Sequence, residues 1–143
     1  MENKPIAVFL DDEREIDFIK NKVDVDSYEW IVMRNYFDFV DYVDENFDKV
    51  KLISFDHDID SFDEGGLEWT GRDAARYLID KCQDGDNHEK DYVFPDFLVH
   101  SMNNIGRQNI IADIKFHISR FEKRGDWSGW RYFHTGFIND KFI

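Results

Sequence analysis

Three short clusters in this 143-residue chain combine carboxylates with imidazoles or small polar groups, and each begins where an apolar run ends. Asp11, Asp12 and Arg14 follow Ile6–Leu10. Asp56, His57 and Asp58 follow Lys51–Phe55, and His100, Ser101, Asn103 and Gly106 stand at the end of Asp96–His100. If the fold brings Asp11/Asp12 beside Asp56/Asp58, the two pairs repel unless a cation lies between them or some are protonated. Mg²⁺ suits such a place, because it takes oxygen ligands and keeps several waters. Aspartates also end strands and cap helices, which accounts for either pair taken alone. Both pairs on neighbouring strands instead indicate a site for a cation or a phosphate.

The imidazoles of His57 and His100 lie next to these carboxylates in sequence. A neutral histidine beside a carboxylate can shuttle protons near pH 7. Two of them on opposite sides of a phosphorus could serve as base and acid in an in-line displacement. A strand-end histidine that only donates a hydrogen bond to an aspartate fits the same spacing. His88, His117 and His134 read as loop or surface residues. The run from His100 to Arg107 leads from a strand into a helix, whose free N–H groups and partial positive charge suit an anion. Ser101, Asn103 and Arg107 add donors there, although Asn103 or Asn104 can also be a helix cap. Thr70-Gly71-Arg72-Asp73 opens another helix, with Thr70 as its cap and Arg72 a weak phosphate candidate.

These residues need a scaffold that gathers strand ends. Ile6–Leu10 is unbroken and apolar, as a strand covered on both faces should be. Tyr28–Met33 is β-branched and aromatic and reads as a second strand. Lys51–Phe55 and Asp96–His100 read as the third and fourth. Helical spacing links Phe37, Val40, Val43 and Phe47, then Ala74, Ala75, Leu78, Ile79 and Cys82, then Ile110, Ile111, Ile114, Ile118 and Phe121. A weaker helical pattern covers Asp11–Val25. Alternating β and α elements predict an open parallel sheet with helices on both faces, in strand order 2-1-3-4. Ligands in such sheets bind outside the carboxyl ends of the strands. Asp60–Trp69 and Asp84–Tyr92 read as long loops. From Gly125 the chain becomes aromatic and turn-rich, which suits a fifth strand, a hairpin or a flap. One domain is expected, with its core over about residues 6–124 and an aromatic segment over 125–143.

Composition narrows the partners. Hydrophobic residues make up 42 %, with 14 Phe, 6 Tyr and 4 Trp, enough for a packed core without staples. Cys82 is the only cysteine, which excludes an intramolecular disulfide and a cysteine-based zinc site. A formal net charge of −13 repels nucleic-acid backbones, so duplex DNA or RNA is not the expected ligand. A small phosphate ligand remains compatible if a metal ion or a local arginine reverses the field in one cleft. No run reaches membrane-spanning length and no leader pattern opens the chain, so a soluble, cytoplasmic protein is expected.

Four short motifs carry a resemblance. Leu10-Asp11-Asp12-Glu13-Arg14, Ser54-Phe55-Asp56-His57-Asp58-Ile59, Thr70-Gly71-Arg72-Asp73 and His100-Ser101-Met102-Asn103 with Gly106 resemble the cyclic-phosphate processing receiver-like domains, divergent relatives of two-component receivers. The likeness covers roughly residues 6 to 120 and implies a receiver-like (flavodoxin-like) α/β fold. In ordinary receivers an acidic pair after the first strand and an aspartate after the third hold Mg²⁺ at a phosphorylation site. Asp11, Asp12 and Asp56 match those positions, and Ser101 matches the hydroxyl residue ending the fourth strand. His57 and His100 belong to the cyclic-phosphate branch. The chain departs from the pattern in having no convincing strand-plus-lysine in the fifth position, and Asn104 where a proline is common.

The resemblance implies a phosphoesterase acting on a cyclic phosphate: a 2′,3′-cyclic nucleotide or RNA end, or a cyclic nucleotide signal. Asp11, Asp12, Asp56 and Asp58 would then hold Mg²⁺ or Mn²⁺ or position water. His57 and His100, with Asp56, would carry the proton transfers. Arg14, Ser101, Asn103, Gly106 and Arg107 would line the phosphate. Two alternatives come from other classes: a regulatory receiver phosphorylated on Asp56 without turnover, and an acidic interaction module using surface charge or Trp127, Trp130, Tyr132 and Phe133.

Overall fold

The apolar run at the start of the chain forms β1 (Ile6–Leu10), and Ala7 to Leu10 are completely buried. The coordinates are a computed structural model that describes residues 3–83, 93–122, 130–133 and 136–139. β2 (Glu29–Met33) and β3 (Val50–Phe55) pair parallel to β1 on either side. A two-residue hairpin, β4 (Ser61–Phe62) and β5 (Glu68–Trp69), interrupts the stretch expected as a long loop. β6 (Asp96–Val99) pairs parallel to β3. In the aromatic segment, β7 (Trp130–Phe133) and β8 (Gly136–Asn139) pair antiparallel to each other, and β8 pairs antiparallel to β6. The sheet order is β2-β1-β3-β6-β8-β7, so the expected parallel order 2-1-3-4 is present and the fold is receiver-like α/β. The expected loop Asp84–Tyr92, with His88, lies outside the described residues, as do His134 and the remainder of the aromatic segment, including Trp127.

Side chains alternate across each strand, and this divides the core in two. Val8, Leu10, Ile53, Phe55, Phe97 and Val99 face α1 (Tyr36–Asn46), α2 (Gly71–Gln83) and α3 (Asn104–His117). Ala7, Phe9, Leu52 and Leu98 face the opposite way, against Ile19, Val23 and Tyr28. The step from β1 to β2 and the step from β2 to β3 run in opposite directions along the sheet. Right-handed crossovers therefore send their connections to opposite faces.

Three sequence expectations need correction. The helix expected over Asp11–Val25 is not there; the segment holds 3-10 turns at Ile16–Ile19 and Val25–Ser27. Its aspartates compete for the backbone: Asp11 accepts from the N–H groups of Glu13 and Arg14, and Asp24 accepts from Asp26 N–H and the Ser27 hydroxyl. Ile19 and Val23 still reach the core from these turns. In α1 the buried stripe runs through Phe39, Val43 and Phe47, whereas Phe37 is exposed. The Asn35 cap, which accepts from Asp38 N–H, sets that rotation. His117 is buried at the end of α3 beside Gln83 and Phe94, not on the surface, because α3 packs that side toward α2. Cys82 is partly buried against the main core. Beyond α3 the coil widens into a π turn over Ile118–Glu122. Among the described residues no helix is long and apolar enough to cross a membrane.

Candidate functional site

The parallel ladder continues one residue past three strands and carries the candidate side chains with it. Asp11 N–H bonds to Met33 O at 3.1 Å, Asp56 N–H to Leu10 O at 3.0 Å, and His100 N–H to Phe55 O at 2.9 Å. By alternation Asp11 shares the face of Phe9, Asp56 that of Ser54, and His100 that of Leu98. All three therefore point to one side, where the strand order reverses between β1 and β3. Each offers a ligand atom, and those atoms lie within 4.8 Å of one another in buried surroundings.

The His100 ring lies flat against Phe9, with centroids 4.5 Å apart and planes 7° from parallel. Its Nε2 is 2.9 Å from Asp11 Oδ2 and its Nδ1 is 2.7 Å from the Ser54 hydroxyl. An ionised carboxylate can only accept, so Nε2 carries the proton facing Asp11. Burial by itself would raise the Asp11 pKa, but His100 and the N–H groups of Arg14 and Glu13 outweigh it and bring it to about 2. Asp56 moves the other way. Burial pushes it up, the Ser101 hydroxyl gives partial relief, and the Asp11 charge pushes it up again. Asp12 is also raised, by burial and then by Asp11, Glu13 and Asp56. Adjacent carboxylates are thus driven apart in proton affinity, which is how one site separates an ionised group from a proton acceptor.

Arg14 spans the pair, its Nη1 3.7 Å from Asp11 Oδ2 and 3.9 Å from Asp56 Oδ2. The guanidinium lies over the Phe18 ring at 4.5 Å, and Phe18 is itself edge-on to His100. The cavity at these strand ends measures about 180 Å³ and is lined by Asp11, Asp12, Glu13, Arg14, Asp56, Asp58, Ser101, Met102 and Asn103. That is room for a phosphate group rather than a whole nucleotide, since pockets for drug-sized ligands start at about 300 Å³. The rest of a larger ligand would lie outside, where Met102 and Phe18 are exposed.

Neither histidine lines this cavity. His100 lies beneath Asp11, with its side chain only 2 % exposed. His57 Nδ1 is 2.8 Å from Asp58 Oδ1, and Asn103 Nδ2 donates to Asp58 Oδ2 at 3.1 Å. The hydrogen-bond interpretation of a strand-end histidine therefore describes both geometries, and each imidazole reaches the cleft through a carboxylate. Asp58 is occupied by these contacts, whereas Asp11, Asp56 and His100 could together hold a metal ion, with His100 a ligand only once Nε2 gives up the proton that faces Asp11. Two carboxylates and an imidazole within 4.8 Å of one another form a donor set that fits a divalent cation.

The phosphate candidates divide. Arg14, Ser101 and Asn103 line the cleft, but Asn103 caps α3 through Gly106 N–H at 2.9 Å while holding Asp58. Gly106 does not line it; a Cβ there would stand 2.4 Å from His57 Cγ, so glycine makes room for the ring. Arg107 braces the turn by donating to Ser101 O at 3.1 Å and to Asn104 Oδ1 at 2.6 Å. Arg72 is paired with Asp113 across α2 and α3, at 2.8 Å from Nε, so it is not free for phosphate. Thr70 precedes α2, and its N–H and hydroxyl donate to Asp73 Oδ2. Gly71 lets α2 approach β3, since a Cβ would meet Asp56 O at 1.6 Å. Sequence reasoning gave no role to Ser54, Phe9 or Phe18. The signal for Ser54 was its place as the one uncharged polar residue in Val50–Phe55.

A search of curated proteins and one of solved structures each found no match to the chain. The sequence profile of the cyclic-phosphate processing receiver domain does match, over residues 6–115, which include every strand end that builds the cleft. The chain therefore belongs to the cyclic-phosphate processing receiver domain family.

Proposed function

We propose that this domain is a phosphodiesterase that opens a cyclic phosphate, either a 2′,3′-cyclic nucleotide or RNA end or a cyclic nucleotide signal, with Mg²⁺ or Mn²⁺ in the cleft. The observation that carries this is the carboxylate pair with opposed proton affinities, Asp11 low and Asp56 high, flanking a phosphate-sized cavity beneath one guanidinium. Asp56 takes a proton from the attacking water, whose oxygen forms the new P–O bond as the ring P–O bond breaks. The departing oxygen takes a proton from His57 through a water held at the cleft wall by Asp58, which His57 and Asn103 keep ionised. His100 acts from below, holding Asp11 ionised and oriented. Arg14 and the Ser101 hydroxyl steady the phosphate oxygens. A bound divalent ion supplies Lewis-acid polarisation of the phosphoryl group.

A hydrolysis screen over cyclic mononucleotides, cyclic oligonucleotides and RNA ends, with and without EDTA and read by ³¹P NMR, tests this. Conversion of one cyclic class to its monoester, lost in Asp56→Asn, is the expected result. No turnover of any class, together with a stable acyl-phosphate on Asp56 after acetyl phosphate and Mg²⁺, would overturn it in favour of the regulatory receiver.

A further inference from the structure

The cavity walls hold five carboxylates, from Asp11, Asp12, Glu13, Asp56 and Asp58, against a single cationic side chain, Arg14. An anionic phosphate entering that field with Arg14 occupied on carboxylates would be repelled. Arg14 is held loosely: its 3.7 and 3.9 Å contacts are ion pairs longer than hydrogen bonds, and 35 % of its side chain is exposed. Among the described residues no hydrogen bond fixes its guanidinium; its lateral support is the face of Phe18, a contact that permits sliding and rotation. Arg34, by contrast, is fastened nearby to the Arg14 carbonyl and to Glu15, and so anchors the backbone that carries Arg14.

We infer that Arg14 is the resident cation of the site: it neutralises Asp11 and Asp56 when no metal is bound, and a divalent ion displaces it from them to receive the phosphate. This rests on the metal and phosphate parts of the proposed function but not on turnover. A cation held by the same two carboxylates would lie close to the guanidinium, and like charges repel, so the arginine must weaken metal binding in the wild type. Freed from the carboxylates, the same guanidinium strengthens phosphate binding. Metal and phosphate thus bind in order, with Arg14 coupling them.

Isothermal titration of the whole chain with Mn²⁺, then of the Mn²⁺-saturated protein with inorganic phosphate, gives the test without any substrate. Arg14→Gln should bind Mn²⁺ about tenfold tighter than wild type and phosphate about tenfold weaker. Arg14→Lys, which keeps the charge, should stay near wild type for Mn²⁺, and circular dichroism checks that each variant is folded. Equal or weaker Mn²⁺ binding by Arg14→Gln would overturn the inference, as would the same affinities in the Gln and Lys variants. Absence of Mn²⁺ binding in every protein would also overturn it. Phosphodiesterase activity is read separately, so loss of that function without loss of the opposed binding changes leaves this inference standing.

Discussion

Replacing Asp11 with asparagine removes one charge from the most deeply buried carboxylate of the cleft while nearly preserving its shape. The Oδ1 atom can still accept from Glu13 and Arg14, and a switch of the His100 proton to Nδ1 lets Nε2 accept from the new amide while Ser54 accepts in turn. What is lost is the preference for the ionised form. A pKa of about 2 against an ordinary 3.8 corresponds to roughly 2 kcal/mol of stability in the ionised state. Part of this returns, because Asp56 is pushed up by the Asp11 charge and is relieved when it goes. The expected net loss in metal-free protein at pH 7 is about 1–2 kcal/mol, or roughly 3–6 °C in melting temperature for a chain of this size. A folded pKa below the unfolded one gives stability that is present above pH 3.8 and lost as pH falls through about 2. Urea unfolding of both proteins between pH 7 and pH 2.5 should therefore show curves that separate at neutral pH and converge in acid. A constant difference down to pH 2.5, or a variant more stable than wild type at pH 7, would refute the account of how His100 and the backbone hold Asp11.

Asp56→Asn should act in the opposite direction. Its folded pKa is raised, so ionisation costs stability as pH climbs through the unfolded value, and the metal-free variant should melt above wild type at pH 7 but not below about pH 3.8. Mn²⁺ should raise the wild-type melting temperature and leave that of Asp56→Asn unchanged, as differential scanning fluorimetry can show. Gly106→Ala gains about 1 kcal/mol of helix propensity, but its Cβ drives into the His57 ring at 2.4 Å. The clash should win, with a net loss of about 1–2 kcal/mol by chemical denaturation and lower turnover from a displaced His57. His57→Ala should fold and lose about 10²–10⁴ in turnover, whereas His100→Ala should also lose stability, because it leaves Asp11 buried without its partner; equal melting temperatures for the two would contradict this placement.

The legible part of the fold was the part written in burial. Ala7–Leu10 and the stripe of Ala74, Ala75, Leu78 and Ile79 are buried as their patterns require. The clustering of Asp11, Asp56 and His100 followed from strand order alone, because parallel strands place their carboxyl ends at one edge. What stayed hidden depended on competition or direction. Asp11 and Asp24 capture backbone N–H groups and divert an apolar pattern from helix to 3-10 turns. The imidazoles point away from the open cavity because one ring stacks on Phe9 and the other packs against Gly106. Neither contact leaves a trace in local spacing: Phe9 and His100 are separated by most of the chain.

The edge of the sheet accounts for one departure from ordinary receivers. Their lysine stands at the carboxyl end of a parallel fifth strand, beside the phosphorylation site. Here the fifth position is taken by β8, which runs antiparallel to β6, so its carboxyl end lies at the opposite edge of the sheet from the cleft. A lysine ending that strand would be far from Asp56. The positive charge instead comes from the other side, on the loop after β1, where Arg14 meets both Asp11 and Asp56. A half-exposed guanidinium resting on Phe18 can release the carboxylates and follow a phosphate, which a cation fixed by a strand end does less readily. On the proposed function, that difference suits a site that binds and releases a phosphate ester. It also makes the distinction measurable: after acetyl phosphate and Mg²⁺, any phosphate on Asp56 should turn over faster in the wild type than in Arg14→Gln.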